Sequence, residues 1–292
     1  MTTDLQDDLV TPFHLEGQPV RGRVVRLGPV LDDILRPHDL PTCVANVLGE
    51  AMVTAVLAGS SLKFEGRVIV QANGDGPVSF LVSDFTTDGG LRGYIRHNTD
   101  TLPTDSQADL ASIMGKGQFA LTIDPGNAEQ SYQGIAALEP TSFTKTVEAY
   151  FAQSEQVPSR LVIAIAQLTN EAGVTSWRGG GLLLQRIAAE DDEMDAWNTA
   201  KAMTATISAD ELTDPTLSTE QLLYRLFHEQ GVRTFEPLFL HKRCTCTRER
   251  LAQILGTFSG ADKDEMFDDD GLIKMTCEYC VKTFAFAPDE IV

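Results

Sequence analysis

Four cysteines near the C-terminus constrain this chain more than any other feature of its sequence. Cys244 and Cys246 form one pair, and Cys277 and Cys280 form a second pair after an interval of thirty residues, 247 to 276. Close cysteine pairs in a chain with no sign of secretion indicate a metal site or redox chemistry. A terminal segment of about 50 residues cannot build a large core, so it needs a structural staple of this kind.

The two pairs predict one zinc ion per chain in the reduced protein. Tetrahedral zinc prefers four thiolates, and close cysteine pairs on two loops are the usual way to supply them. The spacing Cys277-x-x-Cys280 is common in structural zinc sites. The spacing Cys244-x-Cys246 is less common there, because one intervening residue gives the chain little freedom to direct both sulfurs at the metal. A closed site with four protein ligands has no position for a substrate water, which argues against hydrolytic zinc.

The chemistry of such a site leaves two interpretations open. Metal binding would contribute folding free energy to the small C-terminal domain, as in a static zinc ribbon. Zinc also keeps the sulfurs as thiolates, the form that reacts with oxidants. Oxidation to disulfides would remove the ligands and cancel the metal's contribution to folding. The cysteines therefore permit either a static ribbon or a redox switch.

The charge of the chain excludes several classes of partner. Its 292 residues include 23 basic and 42 acidic side chains, a net charge of −19. Such a chain is repelled by a nucleic-acid backbone and by anionic lipid head groups. No stretch suggests the roughly 20 apolar residues of a membrane span, and the acidic N-terminus has no apolar signal-peptide region. We therefore expect a cytoplasmic protein with neither nucleic acid nor membrane as a partner.

Residues 1–187 are predicted to form an α+β core domain, because hairpin-linked strands are interrupted by helices without a regular βαβ alternation. Apolar residues at helical spacing predict the first helix, and alternating runs around glycine-rich turns predict hairpins. The predicted helices are Thr42–Ser60 and Phe143–Gln153, and the predicted strands are Phe64–Gln71, Val78–Phe85, Phe119–Asp124, Tyr132–Leu138, Arg160–Thr169 and Leu182–Ile187.

Residues 188–240 are predicted to be a helical, acidic linker of marginal stability. They contain eleven acidic and three basic side chains, which is typical of a solvated connection. Two short helices are predicted, Glu193–Ile207 and Thr219–Glu229, and Ser218 with Gln221 has the pattern of a capping box. Isolated helices of this length are marginal, so their stability must come from packing.

Residues 241–292 are predicted to be the zinc-binding domain, with a helix near Thr247–Leu255, an acidic turn at 268–271, and strands near Leu272–Thr276 and Thr283–Ala287.

Elsewhere, Cys43 is interpreted as a buried core cysteine, and His241 is only a weak alternative ligand. The glycine-rich stretches 73–76 and 115–117 are predicted to be turns, because neither matches a nucleotide-binding fingerprint. The glycines 179–181 indicate a bulge or a close backbone contact.

The cysteine motifs resemble those of a known family. CTCTRERL at 244–251, DDDG at 268–271 and CEYC at 277–280 are similar to the redox-switch domain of the 33 kDa heat-shock protein family, the redox-regulated holdase chaperones. Further segments resemble the same family, so that the resemblance covers nearly the whole chain. These segments are VRGRVVRLGPVLDDIL at 20–35, LGEAMVTAVLAGSSLKFEGRVIVQANGDGPV at 48–78, RGYIR at 92–96, GKGQFALTIDPG at 115–126 and YQGIAALE at 132–139.

The resemblance implies a chaperone rather than an enzyme, with no catalytic residues. It implies a reduced, zinc-bound and largely inactive monomer, in which peroxide with unfolding stress, or hypochlorite, oxidises the cysteines. It further implies disulfides Cys244–Cys246 and Cys277–Cys280, loss of zinc, unfolding of the zinc domain and linker, and dimer formation. The oxidised protein would then bind unfolding client proteins without ATP and protect the cell against oxidative stress.

Two functions from other classes remain as alternatives. Cys277-x-x-Cys280 is also the spacing of a thiol–disulfide oxidoreductase, although no βαβ pattern surrounds it. A static zinc ribbon that binds nucleic acid is the second alternative, supported only by a small basic cluster in an acidic chain. That cluster consists of Lys242, Arg243, Arg248 and Arg250.

Overall fold

A computed structural model of the chain describes residues 7–62, 65–105, 108–126, 130–187 and 194–291. The chain divides into two compact units. The larger unit ends at Lys242, and the smaller unit begins at Arg243. The strands of the larger unit are β1 (Leu9–Leu15), β2 (Val20–Leu27), β3 (Arg67–Gly74), β4 (Val78–Thr86), β5 (Gly90–His97), β6 (Gly117–Asp124), β7 (Tyr132–Ala137), β8 (Ser159–Thr169), β9 (Thr175–Arg186), β10 (Val232–Thr234), β11 (Leu238–Phe239) and β12 (His241–Lys242).

The helices of the larger unit include one that is much longer than the others. They are α1 (Pro29–Leu35), α2 (Thr42–Gly59), α3 (Leu110–Met114), α4 (Phe143–Gln153), α5 (Met194–Thr204), α6 (Ala209–Thr213) and α7 (Thr219–Phe227). The smaller unit contains α8 (Arg248–Gly256), α9 (Gly260–Met266), β13 (Ile273–Thr276) and β14 (Thr283–Phe286). The predicted α+β class is confirmed.

Two sheets of the larger unit pack against helix α2. The first has the strand order β10-β1-β2-β9-β8, with β11 also paired to β1, and every pairing in it is antiparallel. The second has the order β12-β5-β4-β3-β6-β7 and is antiparallel except for β12 beside β5. Helix α2 packs on strands of both sheets. It therefore lies at the centre of the main hydrophobic core.

Helix α2 is apolar on nearly every face, which is the pattern of a helix buried in a core. Its length and hydropathy are those of a membrane-spanning helix, although the sequence was expected to contain no such stretch. In the structure, 78% of this 18-residue window is buried inside the protein. The burial accounts for its composition without a membrane, and the predicted helix from Thr42 is confirmed.

The first sheet is covered on both faces, because alternate residues of a strand point to opposite sides. Val25 and Leu183 face the main core, whereas Val24 and Leu182 face a second core. The second core is completed by buried side chains of α5, α6 and α7, among them Trp197. Much of the acidic segment after residue 193 is therefore packed on the sheet.

The predicted helix boundaries in this acidic segment are close to those observed. The capping box at α7 is present: the Ser218 hydroxyl accepts from the Gln221 amide at 3.2 Å, and the Gln221 side chain accepts from the Ser218 amide at 3.1 Å. Residues 188–193, where the linker was predicted to begin, lie outside the described residues. The division of the chain at residues 187 and 240 stays a prediction.

Several predicted elements need correction. Asn73 and Gly74 continue strand β3, and Gly117 opens β6, so the two glycine-rich stretches are only partly turns. They lie side by side, with the Asp75 amide donating to the Lys116 carbonyl at 3.0 Å. Strand β9 begins at Thr175 rather than Leu182, because its glycines are part of the sheet. Phe64 and Asn127, within a predicted strand and a predicted turn, lie outside the described residues.

Candidate metal centre

The four C-terminal cysteines come together in the smaller unit, at the places where two short loops approach each other. Cys244 and Cys246 precede helix α8, whose N-cap Thr247 accepts a hydrogen bond from the Arg250 amide. The second pair lies in the turn that joins β13 to β14. All four sulfurs lie within 4.8 Å of one another, and all four cysteines are partly buried.

The turn that carries the second pair is closed by two backbone hydrogen bonds. The Val281 amide donates to the Cys277 carbonyl at 2.8 Å, and the Cys277 amide donates to the Lys282 carbonyl at 3.0 Å. The hairpin register, with Thr276 opposite Thr283, continues directly from this closure. The chain therefore curls so that the sulfurs of Cys277 and Cys280 both reach the first pair.

The sulfur separations fit a tetrahedral metal site. Cys244 Sγ is 3.2 Å from Cys246 Sγ and 3.7 Å from Cys277 Sγ, and Cys246 Sγ is 3.3 Å from Cys280 Sγ. Zinc–sulfur bonds of about 2.3 Å in a tetrahedron would place the sulfurs roughly 3.8 Å apart. The donor set is four cysteine sulfurs, which suits zinc rather than calcium or magnesium.

Without a cation, the surroundings of Cys246 disfavour its thiolate. Burial raises the pKa of the Cys246 thiol well above its usual range, and hydrogen bonds with Cys244, Cys280 and Cys277 raise it further. Four thiolates this close would repel one another strongly if nothing neutralised them. A bound divalent cation removes that penalty and holds coordinating thiols in the deprotonated form.

The sulfur cluster rests on a small hydrophobic core. Cys246 packs against a group of buried side chains that belong to α8, β13 and β14. Arg248 fastens α8 to the C-terminal end of the unit, because its guanidinium pairs with Glu290 at 2.7 Å and lies 4.7 Å from the centre of the Phe286 ring. The buried members of this core are Leu255, Ile273, Phe284 and Phe286.

Two other residues considered as candidates lie elsewhere. Cys43 is buried in helix α2 within the main core of the larger unit, as predicted. His241 lies in β12, where its amide donates to the Gly89 carbonyl, and it does not join the cysteine cluster. The basic residue Lys242 donates to the Asp33 carbonyl in the larger unit.

The sequence did not indicate how the acidic segment is attached to the first sheet. Two buried arginines of neighbouring strands bind the end of α6: Arg178 Nε donates to the Thr213 carbonyl at 2.9 Å, and Arg26 donates to the Asp214 carbonyl. On the same strand as Arg178, Gly180 approaches the Leu212 carbonyl closely. A Cβ added at Gly180 would lie 2.2 Å from the Leu212 oxygen. The run of three glycines was the one available signal, and of its two interpretations, a bulge or a close backbone contact, the structure shows the contact.

Comparisons with known proteins agree with this architecture. The family model described as Hsp33 protein matches residues 8–287. A 33 kDa chaperonin of Caulobacter vibrioides is 45% identical over 98% of this chain and 97% of its own length. A 33 kDa chaperonin of Escherichia coli is 35% identical over 96% of this chain and 92% of its own length.

A solved structure shows the same fold. The crystal structure of a 33 kDa chaperonin (heat shock protein 33 homolog) from Thermotoga maritima superimposes with a TM-score of 0.80. The match covers 97% of this chain and 96% of that one, at 22% sequence identity. With the match of the family model over nearly the whole chain and relatives up to 45% identical, this chain belongs to the Hsp33 family of chaperones.

Proposed function

We propose that this protein is a redox-regulated holdase, a chaperone that binds unfolding proteins without ATP and is activated by oxidation of its four clustered cysteines. The observation that carries the proposal is the convergence of four sulfurs within 4.8 Å in a unit with only a small core. Family membership supports the chaperone activity. The chemistry of the cluster permits the regulation, and the resemblance of its motifs to a redox-switch domain favours it over a static zinc ribbon.

In the reduced state Cys244, Cys246, Cys277 and Cys280 would hold one zinc ion. When bound, the ion supplies positive charge that keeps the four sulfurs ionised and links the loop before α8 to the β13–β14 turn. The small unit would depend on this link, because four buried apolar side chains make only a minor hydrophobic contribution. The thiolates are at the same time the groups that an oxidant attacks.

Oxidation would convert the ligands into two disulfides, Cys244–Cys246 and Cys277–Cys280. Each disulfide forms when two thiolates give up two electrons, and one hydrogen peroxide accepts them with two protons to yield two waters. Each pair has the sequence spacing to close locally. A disulfide sulfur is a far weaker ligand than a thiolate, so the oxidised cluster would no longer retain the metal, and the smaller unit would lose its staple.

The acidic segment 188–240 would be the second part to unfold. Its helices are short, and its attachment to the first sheet depends on the second core and on the contacts of Arg178 and Arg26. Release of these helices would uncover the apolar sheet face that includes Val24 and Leu182. Such a face would gain free energy by binding apolar segments of client proteins, at about 25 cal/mol per Å².

The remaining parts of the proposal concern partners and location. The oxidised form would associate into a homodimer. The protein would be cytoplasmic, and its net charge of −19 disfavours nucleic acid and anionic membranes as partners. An enzymatic thiol–disulfide exchange is disfavoured because Cys277 and Cys280 lie in a hairpin turn rather than at the start of a helix. Turnover in an insulin-reduction assay would contradict the non-enzymatic assignment.

The test follows zinc and chaperone activity in one sample. Purified reduced protein is treated with peroxide or hypochlorite, zinc release is recorded with a chromophoric chelator, and suppression of citrate synthase aggregation is then measured. We expect about one zinc per chain to be released as activity appears, and dithiothreitol to reverse both. Zinc retained through full activation, or full activity in the reduced protein, would contradict the switch.

Matched variants separate the cluster from the fifth cysteine. Cys277→Ser with Cys280→Ser should abolish stoichiometric zinc binding, because only two thiolates remain. Cys43→Ser should keep both zinc binding and the oxidation response, since Cys43 is buried in the main core, apart from the cluster. If the Cys43 variant lost zinc and the Cys277/Cys280 variant kept it, the assignment of the ligands would be contradicted.

A further inference from the structure

One residue of the metal-binding turn has a backbone conformation that its side chain disfavours. Val281, directly after the fourth cysteine, has a φ of 60°, in the left-handed region. Only three other described residues that are not glycine have a positive φ, namely Asp8, Asp39 and Gln156. Val281 is the one β-branched residue among these four, and branching at Cβ makes this region particularly unfavourable.

Among the described residues of the smaller unit, no core contact compensates for this conformation. The Val281 side chain is 36% exposed, and it is not among the residues of the small hydrophobic core. Replacing it with a smaller residue therefore removes no member of that core. Glycine or asparagine would adopt the same φ with less steric conflict.

The conformation is required by the turn that presents the second cysteine pair. The Val281 amide donates to the Cys277 carbonyl at 2.8 Å, and the left-handed φ of Val281 then returns the chain so that the Lys282 carbonyl accepts from the Cys277 amide at 3.0 Å and strand β14 begins. This closure curls the segment from Cys277 to Cys280 toward the first pair. The four-sulfur arrangement thus holds Val281 in its strained state, and the strain acts against that arrangement.

We propose that Val281 is a positioning residue whose backbone strain weakens metal binding by the four cysteines and so lowers the threshold for metal loss on oxidation. The inference rests on the proposed zinc site and adds a residue that influences the zinc affinity of that site. The strain is present when the turn is closed around the metal and is relieved when the turn opens. It therefore reduces the zinc affinity of the site without changing any ligand.

The test compares zinc affinity in four full-length variants by competition with a chromophoric chelator under reducing conditions. Val281→Asn should bind zinc about tenfold more tightly than wild type, equivalent to about 1.4 kcal/mol. Val281→Gly should show a smaller gain, because glycine also makes the unfolded chain more flexible. Val281→Ile keeps the branched Cβ and should match wild type.

Val174→Gly provides the control, because Val174 is an exposed valine of the larger unit outside the left-handed region. It should leave zinc affinity unchanged. At a fixed peroxide concentration, zinc release from the Asn variant should be several-fold slower than from wild type. Equal affinities for wild type and the Asn and Gly variants would overturn the proposal, as would an isoleucine variant that binds as tightly as the asparagine variant.

A second measurement distinguishes this inference from the zinc assignment itself. Hydrogen exchange over residues 273–286 reports the stability of the turn with or without metal. If wild-type protein bound no zinc, the proposed function would fail, whereas slower exchange in Val281→Asn would still demonstrate the strain. Unchanged exchange in that variant together with unchanged zinc affinity would show that Val281 is not strained.

Discussion

At the residue scale, Glu50 is a carboxyl group in a partly buried position that stabilises its charge poorly. It lies on helix α2 beside a cavity of about 190 Å³ that Cys43 and Asn46 also line. No side chain in the described part of the chain forms an ion pair or hydrogen bond with its carboxyl group. Burial alone raises the pKa of Glu50 from 4.5 to about 7. The group is therefore a source of pH-dependent stability in the main core.

The direction of this dependence follows from proton binding. Between pH 4.5 and 7 the unfolded chain releases the Glu50 proton while the native protein retains it, so stability falls as the pH rises. Replacing Glu50 with Gln should remove this contribution, which amounts to as much as about 3 kcal/mol. Urea unfolding at pH 5 and pH 8 measures it. The variant should lose less stability between these two pH values than wild type.

A matched substitution controls for the general effect of removing a negative charge. Glu229 is exposed, and Glu229→Gln should retain the wild-type difference in unfolding free energy between pH 5 and pH 8. If Glu50→Gln showed the same pH dependence as wild type, the carboxyl of Glu50 would have to be ionised or solvated in the native protein. That outcome would remove it as a determinant of stability.

At the scale of elements, the contact between helix α6 and strand β9 decides how firmly the acidic segment is held. Gly180 lets the Leu212 carbonyl approach the strand, and Arg178 and Arg26 bind the next two carbonyls of the chain. Arg178 is itself fixed by Asp7 at 2.7 Å. The sheet thus binds the carbonyls of Thr213 and Asp214, and the carbonyl of Leu212 packs closely against it.

The substitution Gly180→Ala tests this contact. The added Cβ would lie 2.2 Å from the Leu212 oxygen, a backbone atom that cannot rotate away, so α6 must shift from β9. We expect a loss of about 1–3 kcal/mol in the attachment of the segment. Limited proteolysis of the reduced protein should then cut residues 188–240 several-fold faster than in wild type.

Gly260→Ala serves as the control because nothing lies within 4 Å of the position where its Cβ would be. It should leave cleavage of residues 188–240 at the wild-type rate. If the Gly180→Ala protein resisted proteolysis as well as wild type, the sheet would have to adjust its backbone to accommodate the added Cβ. The contact would then not be what holds the acidic segment.

At the scale of the whole molecule, the two units differ greatly in how their stability arises. The larger unit has an extensive core around α2, whereas the smaller unit buries four apolar side chains completely or nearly so. About 50 residues with so small a core fold marginally without a metal or a disulfide. The smaller unit should therefore depend on its cysteine cluster, and the larger unit should not.

Removal of zinc by a strong chelator under reducing conditions tests this difference. Hydrogen exchange should become fast throughout α8, β13 and β14, because the loss of the metal removes most of the folding free energy of the smaller unit. Helix α2 should keep its protection in the same sample. Protection that persists in β13 and β14 after complete chelation would contradict a structural role for the metal.

The elements that sequence predicted well have local signals. Helix α4 was predicted with the observed boundaries, since Phe143, Val147 and Tyr150 follow the helical period and are all buried. Strand β2 has no clear local signal, because its arginines and glycine interrupt the apolar alternation. One of those arginines, Arg26, is buried only because α6 supplies its partner from 188 residues further along the chain.

The sequence by itself determined the candidate ligands, the α+β class and the family, because cysteine spacing, hydrophobic periodicity and family motifs are local properties of the chain. Only the tertiary structure decided that α5–α7 cover one face of the first sheet and that β12 joins the second. It also decided the strained conformation of Val281. The first two features arise when residues distant in sequence compete for the same surfaces and backbone partners. The conformation of Val281 arises when the turn closes and brings the second cysteine pair to the first. No local pattern of residue types records these outcomes.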